Sequence, residues 1–157
     1  MIRITKIADY GILLMAEMAA EGVGAVHNAR CLSDSTRIPQ PMVSKILKTL
    51  AREGLLISHR GQKGGYSLSR TPGRITVAEI ITALEGPIAI IECADHENDH
   101  ICDLQEVCAV SSPWKRINDA VCDALSAITL EEMVQPCCGS SQGLAEEGVF
   151  LTPKILN

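Results

Sequence analysis

Residues 38–69 read IPQPMVSKILKTLAREGLLISHRGQKGGYSLS, and this stretch decides the fold. After the two prolines, apolar residues recur every three or four positions, which predicts an amphipathic helix that ends at Gly54. Two short runs of strand-forming residues then flank a turn rich in glycine and basic residues, an arrangement typical of a β-hairpin. The stretch therefore predicts a helix followed directly by a basic hairpin.

The residues upstream predict two more helices. Thr5 can cap an amphipathic helix that runs to about Glu21, and Asn28 can cap a short second helix. Two helices, a tight turn and a third helix with basic and hydroxyl residues on its outer face form the helix-turn-helix pattern. We therefore expect a mainly α fold with a small β-hairpin, in which residues 1–86 form a winged helix-turn-helix domain.

The charges of the chain are distributed unevenly. Residues 1–74 carry eleven Lys and Arg against five Asp and Glu, whereas residues 75–157 carry three against fourteen. A polyanion meets a local basic face and not the average charge, so double-stranded DNA is the expected partner of the first half. No apolar run reaches the length of a membrane span, and the N-terminus lacks the apolar block of a secretory signal. A cytoplasmic protein without a membrane partner is therefore expected.

Candidate DNA contacts lie on the third helix and on the hairpin. Residues near the start of the helix are assigned to base edges in the major groove, and most of the other cations to phosphates. Arg60 suits the negative potential of a minor groove, while Tyr66 supports the wing. The alternative for the hairpin is an ordinary solvated loop. The predicted DNA-binding residues are Gln40, Ser44, Lys45, Lys48, Arg52, Arg60, Gly61, Lys63 and Tyr66, with Thr5 as a further phosphate contact.

Three of the seven cysteines form a candidate metal site. Cys93, Cys102 and Cys108 lie in an acidic segment, with eight and five residues between them. In a reducing compartment such cysteines indicate metal ligation or redox sensing more often than disulfides. Thiolates select zinc, copper(I) or iron-sulfur clusters, and a cluster usually takes four protein ligands. Either His96 or His100, in the same segment, could supply the fourth ligand.

Residues 111–133 predict one long helix that pairs with a second chain. Ser112 is the expected N-cap, and Pro113 is the expected proline of the first turn. Apolar positions then repeat at spacings of three and four, as in the seam of a coiled coil. The alternative is packing of this seam against the chain's own first domain. The predicted dimerisation residues are Trp114, Ile117, Val121, Ala124 and Ile128.

A homodimer would present two recognition helices to one duplex, so a pseudo-palindromic operator is expected. The rest of the chain would comprise a cysteine-rich cluster-binding loop (87–110), the dimerisation helix (111–133) and a flexible C-terminal tail (134–157). The tail contains Cys137 and Cys138, whose role the sequence leaves open. No CxxC redox motif or nucleophile and base pair is evident, which argues against an enzyme.

These segments together resemble a known family. Arg60–Tyr66, Ile75–Ile81, the opening Ile4–Tyr10 and the three spaced cysteines are similar to the Rrf2 family of bacterial winged-helix regulators, whose members include IscR and NsrR. The similarity covers residues 1–133. The wide gap between the first two cysteines and the cysteine-containing tail look most like the regulators of the SUF iron-sulfur cluster assembly operon.

The resemblance implies a homodimeric repressor or activator that reports iron-sulfur status, nitric oxide or redox conditions. The implied cofactor is an iron-sulfur cluster on the three cysteines, with a [2Fe-2S] cluster favoured and a [4Fe-4S] cluster possible. Members that resemble IscR use a histidine three positions after the last cysteine, where this chain has Ser111. Members that resemble NsrR use a carboxylate of the partner chain, and the matching residue is Asp9. A winged-helix regulator that uses zinc or thiol oxidation is the alternative.

Overall fold

The computed structural model describes residues 4–61, 64–90 and 108–134, which form a mainly helical fold with one two-stranded antiparallel sheet. The predicted fold class is confirmed. No helix in these three ranges is long and apolar enough to cross a membrane. In chain order the elements are α1 (Lys6–Ala20), α2 (Ala29–Thr36), α3 (Gln40–Arg52), β1 (Leu56–His59), β2 (Gly65–Leu68), a short 3-10 helix (Pro72–Arg74), α4 (Val77–Glu85), α5 (Ser111–Ala127) and α6 (Leu130–Val134).

Side chains begin the first two helices as the sequence predicts. Thr5 Oγ1 accepts a hydrogen bond from the Ala8 amide at 3.2 Å, and Asn28 Oδ1 accepts one from the Cys31 amide at 2.8 Å. Each bond satisfies an amide that has no partner within the first helical turn. These caps fix where α1 and α2 begin.

The hydrophobic core lies between α1, α3 and α4. The predicted apolar stripe of α3 is buried, while its basic residues face away from the core. α4 approaches α1 closely because Gly11 has no side chain, and a β-carbon at that position would collide with Leu84. The core residues are Leu14, Met15, Met18, Leu32, Ile38, Val43, Ile46, Leu47, Leu50, Leu55, Leu56, Leu68, Ile75, Ile80 and Leu130.

The hairpin is attached to the helical unit close to its turn. β1 and β2 pair from Leu56 opposite Leu68 to His59 opposite Gly65. The amide of His27, in the loop between α1 and α2, donates to the Tyr66 carbonyl at 2.8 Å, and the Tyr66 amide donates to the His27 carbonyl at the same distance. Gly65 permits this approach, because a β-carbon there would lie 2.8 Å from the carbonyl carbon of His27.

The prediction of one helix over residues 111–133 is wrong, since the helical path is interrupted at Ile128. Ile128 has extended backbone angles (φ −94°, ψ 122°), and its carbonyl accepts a hydrogen bond from the Val77 amide at 2.9 Å. The Leu130 amide donates to the Ile75 carbonyl at 2.8 Å, and the Leu130 side chain is fully buried. Pairing with residues at and just before the start of α4 thus replaces helical hydrogen bonds. α6 then packs against α1 and the 3-10 helix, so it completes the N-terminal unit.

The predicted N-cap of α5, Ser112, is also wrong. Val110 occupies the N-cap position without a side-chain hydrogen bond, and the helix begins at Ser111. Ser112 therefore lies in the first turn and does not cap the helix. Pro113 lies in the first turn as well, where its missing amide leaves no helical hydrogen bond unmade.

Candidate DNA interface and cysteine region

α3 presents a polar face because its opposite face is anchored in the core. Gln40, Lys45 and Lys48 are exposed and Ser44 is half-buried, whereas the apolar stripe of the same helix is inaccessible to solvent. Pro39 is the N-cap residue and makes no side-chain hydrogen bond to the helix. The predicted base-reading residues thus lie at the uncapped end of a firmly held helix.

The hairpin turn requires its glycines. Gly61 has a φ of +110°, which other residues rarely adopt, and its carbonyl accepts a hydrogen bond from the Gly64 amide at 2.9 Å. A β-carbon at Gly64 would lie 2.6 Å from the His59 carbonyl oxygen. Arg60 is exposed directly before this turn. Lys63, a predicted phosphate contact, lies outside the described residues.

Three of the predicted DNA contacts have protein partners. Thr5 Oγ1, which caps α1, also donates a hydrogen bond to Glu85 Oε1. The Arg52 Nε atom lies 3.0 Å from Glu53 Oε1, and both side chains are largely exposed. Such a pair is weak in water, so it leaves Arg52 able to exchange Glu53 for a phosphate. Tyr66 packs against the hydrophobic core while its backbone bridges to His27. Tyr66 therefore stabilises the hairpin from the side that faces the hydrophobic core.

The described part of the cysteine region lies along α5. Cys108 is half-buried, and its carbonyl accepts a hydrogen bond from the Ser111 amide at 3.3 Å. Asp9 is exposed in the first turn of α1. Within residues 4–61, 64–90 and 108–134 no group of three or more potential metal ligands is assembled. The remaining predicted ligands Cys93, Cys102, His96 and His100, and the tail residues Cys137 and Cys138, lie outside the described residues.

A buried polar contact holds the segment that leads toward Cys93. Asn118, on α5, is 7% exposed, and its Oδ1 atom accepts a hydrogen bond from the Ile90 amide at 3.0 Å. Its Nδ2 atom donates to the Cys122 sulfur at 3.7 Å, and the Cys122 thiol donates to the Ile88 carbonyl at 3.6 Å. Ile90, the last described residue before Cys93, is thereby bound to the helix that begins just after Cys108.

The predicted dimerisation seam divides between two environments. Trp114, Ile117 and Ile128 are exposed large apolar side chains, and Ala124 is exposed as well. Val121 is half-buried and lines a cleft with residues of α1 and α4. Packing against the chain's own first domain therefore accounts for Val121, while the other four positions present an apolar surface to solvent.

Sequence reasoning missed three functional candidates. His27 is buried and its Nε2 atom has no hydrogen-bond partner among the described residues. Arg37 adopts a left-handed backbone conformation in the turn before α3. Asn118 binds the backbone of Ile90, which we call the loop entrance because it leads into the cysteine-rich loop. Its position four residues before Cys122 places both side chains on one helix face, and this spacing was the only sequence signal available.

Comparisons with known proteins agree with this architecture. A family model described as Rrf2, iron-dependent transcriptional regulator, matches residues 4–136. CymR of Bacillus subtilis is 29% identical over 140 residues, which span 89% of this chain and 95% of CymR. IscR of Xenorhabdus nematophila is 28% identical over 133 residues, which span 85% of this chain and 79% of IscR.

A solved structure supports the same assignment. The structure of CymR from B. subtilis, described as a global cysteine regulator, matches with a TM-score of 0.67 at 29% identity and covers 85% of this chain and 97% of that one. These relatives are transcriptional regulators that bind DNA, and they are not enzymes. Because the family model covers most of the chain, the chain belongs to the Rrf2 family of transcriptional regulators.

Proposed function

We propose that this protein is a homodimeric regulator that binds a pseudo-palindromic operator through α3 and the β1–β2 hairpin, and that an iron-sulfur cluster controls this binding. The observation that carries the DNA-binding part is the division of α3 into two faces. One face is buried in the core, and the other presents Gln40, Lys45 and Lys48 to solvent. A helix held in this way can enter a major groove without losing its own packing.

The hairpin supplies the second DNA element. Arg60 is exposed beside a turn of glycines, and strand β2 is fixed to the helical unit close to that turn through the His27–Tyr66 bridge. A guanidinium at the tip of a fixed hairpin suits a narrow minor groove, where the electrostatic potential is most negative. We therefore assign Arg60 to the minor groove and Lys48 to a phosphate.

Two single variants test this interface. Lys48→Ala should weaken binding to every duplex, by about tenfold at 50 mM salt, and should flatten the salt dependence by about one unit for each phosphate that the variant no longer neutralises. Arg60→Ala should weaken binding to operator DNA more than to random-sequence DNA. Fluorescence anisotropy with labelled duplexes measures both. Arg116→Gln, an exposed charge change on α5, is the matched control. Unchanged affinity in both test variants would overturn the assignment.

The proposed dimer rests on the exposed apolar face of α5. Trp114 and Ile117 are 40% and 46% exposed, an unusual state for large apolar side chains aligned on one helix. If two such faces paired around a twofold axis, each apolar contact would occur twice, once on each side of the axis. Two α3 helices would then face one duplex, which is the geometry that a pseudo-palindromic operator needs.

The proposed cluster site rests on the way both ends of the cysteine loop meet α5. Ile90 is bound to Asn118, and Cys108 lies three residues before the helix begins. Seven residues of helix separate Ser111 from Asn118, which is roughly 10 Å at 1.5 Å per residue. Cys93 follows Ile90 by three residues and so can reach roughly 10 Å from it. Thiols from both ends of the loop are therefore within reach of one centre.

The donor chemistry fits the proposed group. Thiolates are the ligands that iron-sulfur clusters take, and Cys93, Cys102 and Cys108 would supply three. Asp9 of the partner chain is our choice for the fourth, since Asp9 is exposed in the first turn of α1. His96, His100 and Ser111 are the alternatives. When bound, the cluster would supply a removable cross-link between the loop and its ligands, which oxidants, nitric oxide or iron shortage can break.

A second candidate is a regulator that responds through thiol oxidation or zinc. The structure of CymR from Staphylococcus aureus in its oxidized form matches this chain with a TM-score of 0.63 at 26% identity. Cys31 and Cys122 are cysteines outside the predicted ligand set that could take part in such chemistry. The metal content of the purified protein separates the two candidates.

Anaerobic purification tests the cofactor. We expect visible charge-transfer absorption with equal amounts of iron and sulfide, and loss of both in Cys93→Ala, Cys102→Ala and Cys108→Ala. Cys31→Ala is the control, because this exposed cysteine lies on α2 and should leave the iron content unchanged. Colourless protein that contains zinc would support the second candidate. Iron retained by all three loop variants would remove these cysteines from the site.

We further propose that the regulated genes encode iron-sulfur cluster assembly proteins of the SUF type. The support is the wide spacing of Cys93 and Cys102 together with the cysteines at 137 and 138. Chromatin immunoprecipitation from the native host should then recover the promoter of an iron-sulfur assembly operon. Recovery of promoters unrelated to iron-sulfur assembly would contradict this target and leave the DNA interface intact.

A further inference from the structure

Arg37 occupies an unusual backbone conformation in the turn between α2 and α3. Its φ and ψ are 60° and 19°, which lie in the left-handed region. It is the single residue other than glycine with a positive φ in the described part of the chain. Side chains with a β-carbon are disfavoured there, and glycine or asparagine is the usual occupant at the end of a helix.

The neighbouring residues force this conformation. Ser33 Oγ donates to the Ile38 carbonyl at 2.7 Å, and Thr36 Oγ1 donates to the Leu32 carbonyl at 2.5 Å. Ile38 is buried in the core, and Pro39 follows with its φ restricted by the ring. Both sides of the turn are therefore fixed, and whichever residue stands at position 37 must accept the left-handed backbone.

Contacts within the described chain do not account for an arginine at this position. The Arg37 side chain is exposed, and none of the three ion pairs among residues 4–61, 64–90 and 108–134 includes it. It also makes no side-chain hydrogen bond to another residue in those ranges. A residue type that strains the backbone and lacks a stabilising contact is more often found at functional sites.

We infer that Arg37 contacts a backbone phosphate of the DNA next to the groove that α3 enters, an inference that rests on the proposed DNA interface. Arg37 precedes the first residue of α3 by three positions, and the start of α3 is the end assigned to base edges. A helix inserted in this way has phosphates on both sides of its first turn, and flanking residues contact them. A guanidinium matches the geometry of a phosphate and can donate two hydrogen bonds to it.

The backbone conformation provides a test in which DNA binding and stability change in different directions. Arg37→Asn removes the charge and substitutes a residue that tolerates the left-handed region. We expect the melting temperature to equal or exceed that of the wild type. At 50 mM salt, binding to a random-sequence 30-base-pair duplex should weaken by at least about tenfold, and the salt dependence should flatten by about one unit for each protomer that binds through Arg37. Arg37→Lys keeps the charge but not the paired hydrogen bonds, so it should lose less affinity than Arg37→Asn.

One control and one second test variant make the outcome decisive. Arg116→Gln removes one exposed positive charge from α5 and should bind the same duplex like the wild type. Arg37→Gly repeats the loss of charge with a second residue suited to the backbone, in case the asparagine variant folds poorly. Wild-type affinity in the asparagine and glycine variants would overturn the inference, and so would equal losses in the lysine and asparagine variants. If Lys48→Ala and Arg60→Ala also bind normally, the whole proposed interface fails, and not this contact alone.

Discussion

The Glu79 side chain caps the start of α4 and also forms an ion pair with Arg70. Its Oε2 atom accepts a hydrogen bond from the Thr76 amide at 2.9 Å, while Thr76 Oγ1 accepts one from the Glu79 amide at 3.2 Å. Arg70 Nη2 lies 2.9 Å from Glu79 Oε1. Burial raises the pKa of Glu79. The Thr76 amide and the Arg70 guanidinium together lower it by more than burial raises it, so the pKa lies below its ordinary value of 4.5.

This lowered pKa predicts an acid-dependent contribution to stability. A carboxyl group whose pKa is lower in the folded state stabilises the fold above its unfolded pKa of 4.5, and the contribution disappears as the pH falls through the folded pKa. Glu79→Gln keeps an acceptor for the Thr76 amide but removes the charge. At pH 7 we expect the variant to be less stable by about 0.5–1 kcal/mol, because both the ion pair and the helix-dipole interaction are lost. Urea unfolding of both proteins between pH 7 and pH 3 measures the difference, which should shrink toward low pH. A difference that stays constant with pH would contradict the prediction.

Single residues were predictable from the sequence where their role depends on near neighbours. The caps at Thr5 and Asn28 bond to amides three residues away, so the sequence was sufficient to identify them. The Asn118 contact spans 28 residues, and the sequence does not indicate that Ile90 lies beside α5. The left-handed Arg37 was missed for another reason. Arginine does not normally indicate that conformation, so the position lacked the glycine that usually reveals it.

Among the elements, α5 has the clearest consequence for assembly. Ile117 is 46% exposed on its apolar face, whereas Asn118 is turned toward the chain's own loop entrance. Ile117→Glu should convert the proposed dimer to a monomer, because a twofold axis would bury the new charge twice in an apolar contact. Sedimentation equilibrium measures the change as a halving of the mass, with a parallel loss of affinity for palindromic DNA.

A control on the same helix distinguishes lost pairing from lost folding. Ser126 lies nine residues after Ile117, which places it on the opposite side of α5 at about 100° per residue. It is exposed, and Ser126→Glu adds the same charge. This variant should remain dimeric and keep the wild-type helix content. A dimeric Ile117→Glu protein would rule out the proposed seam.

The ends of α5 mark the limit of element prediction. Apolar spacing of three and four residues continues from Trp114 through Ile128, so periodicity alone extended the helix to residue 133. The structure ends the helix at Ala127, because the backbone of Ile128 and Leu130 pairs with Val77 and Ile75. That pairing joins residues more than fifty positions apart, and a local pattern does not encode it. The buried face of α3 was predictable, since its apolar stripe, the prolines before it and Gly54 after it all lie within one stretch.

At the scale of the molecule, α5 connects the proposed sensor with the DNA-binding unit. Its first half binds the loop entrance through Asn118, and its start follows Cys108 by three residues. Beyond its end, Leu130 is buried in the same core that holds α3. A change in the cysteine loop would therefore act on a helix that is bound to Ile90 through Asn118 and is followed by the buried Leu130. Through the proposed seam it would act on the partner as well.

This connection predicts that iron content changes DNA affinity. Only a cluster that binds one DNA-binding conformation better than the other can shift their populations. We expect the iron-loaded and iron-free dimers to differ in affinity by about 5- to 150-fold, a coupling of about 1–3 kcal/mol. Anaerobic anisotropy titrations can measure this with duplexes selected from a random pool by each form separately. Cys108→Ala should bind DNA equally well with and without added iron, because the loop would lack one of its ligands. Equal affinity of the two wild-type forms for both selected duplexes would show that the cluster does not control DNA binding, even if the protein contains one.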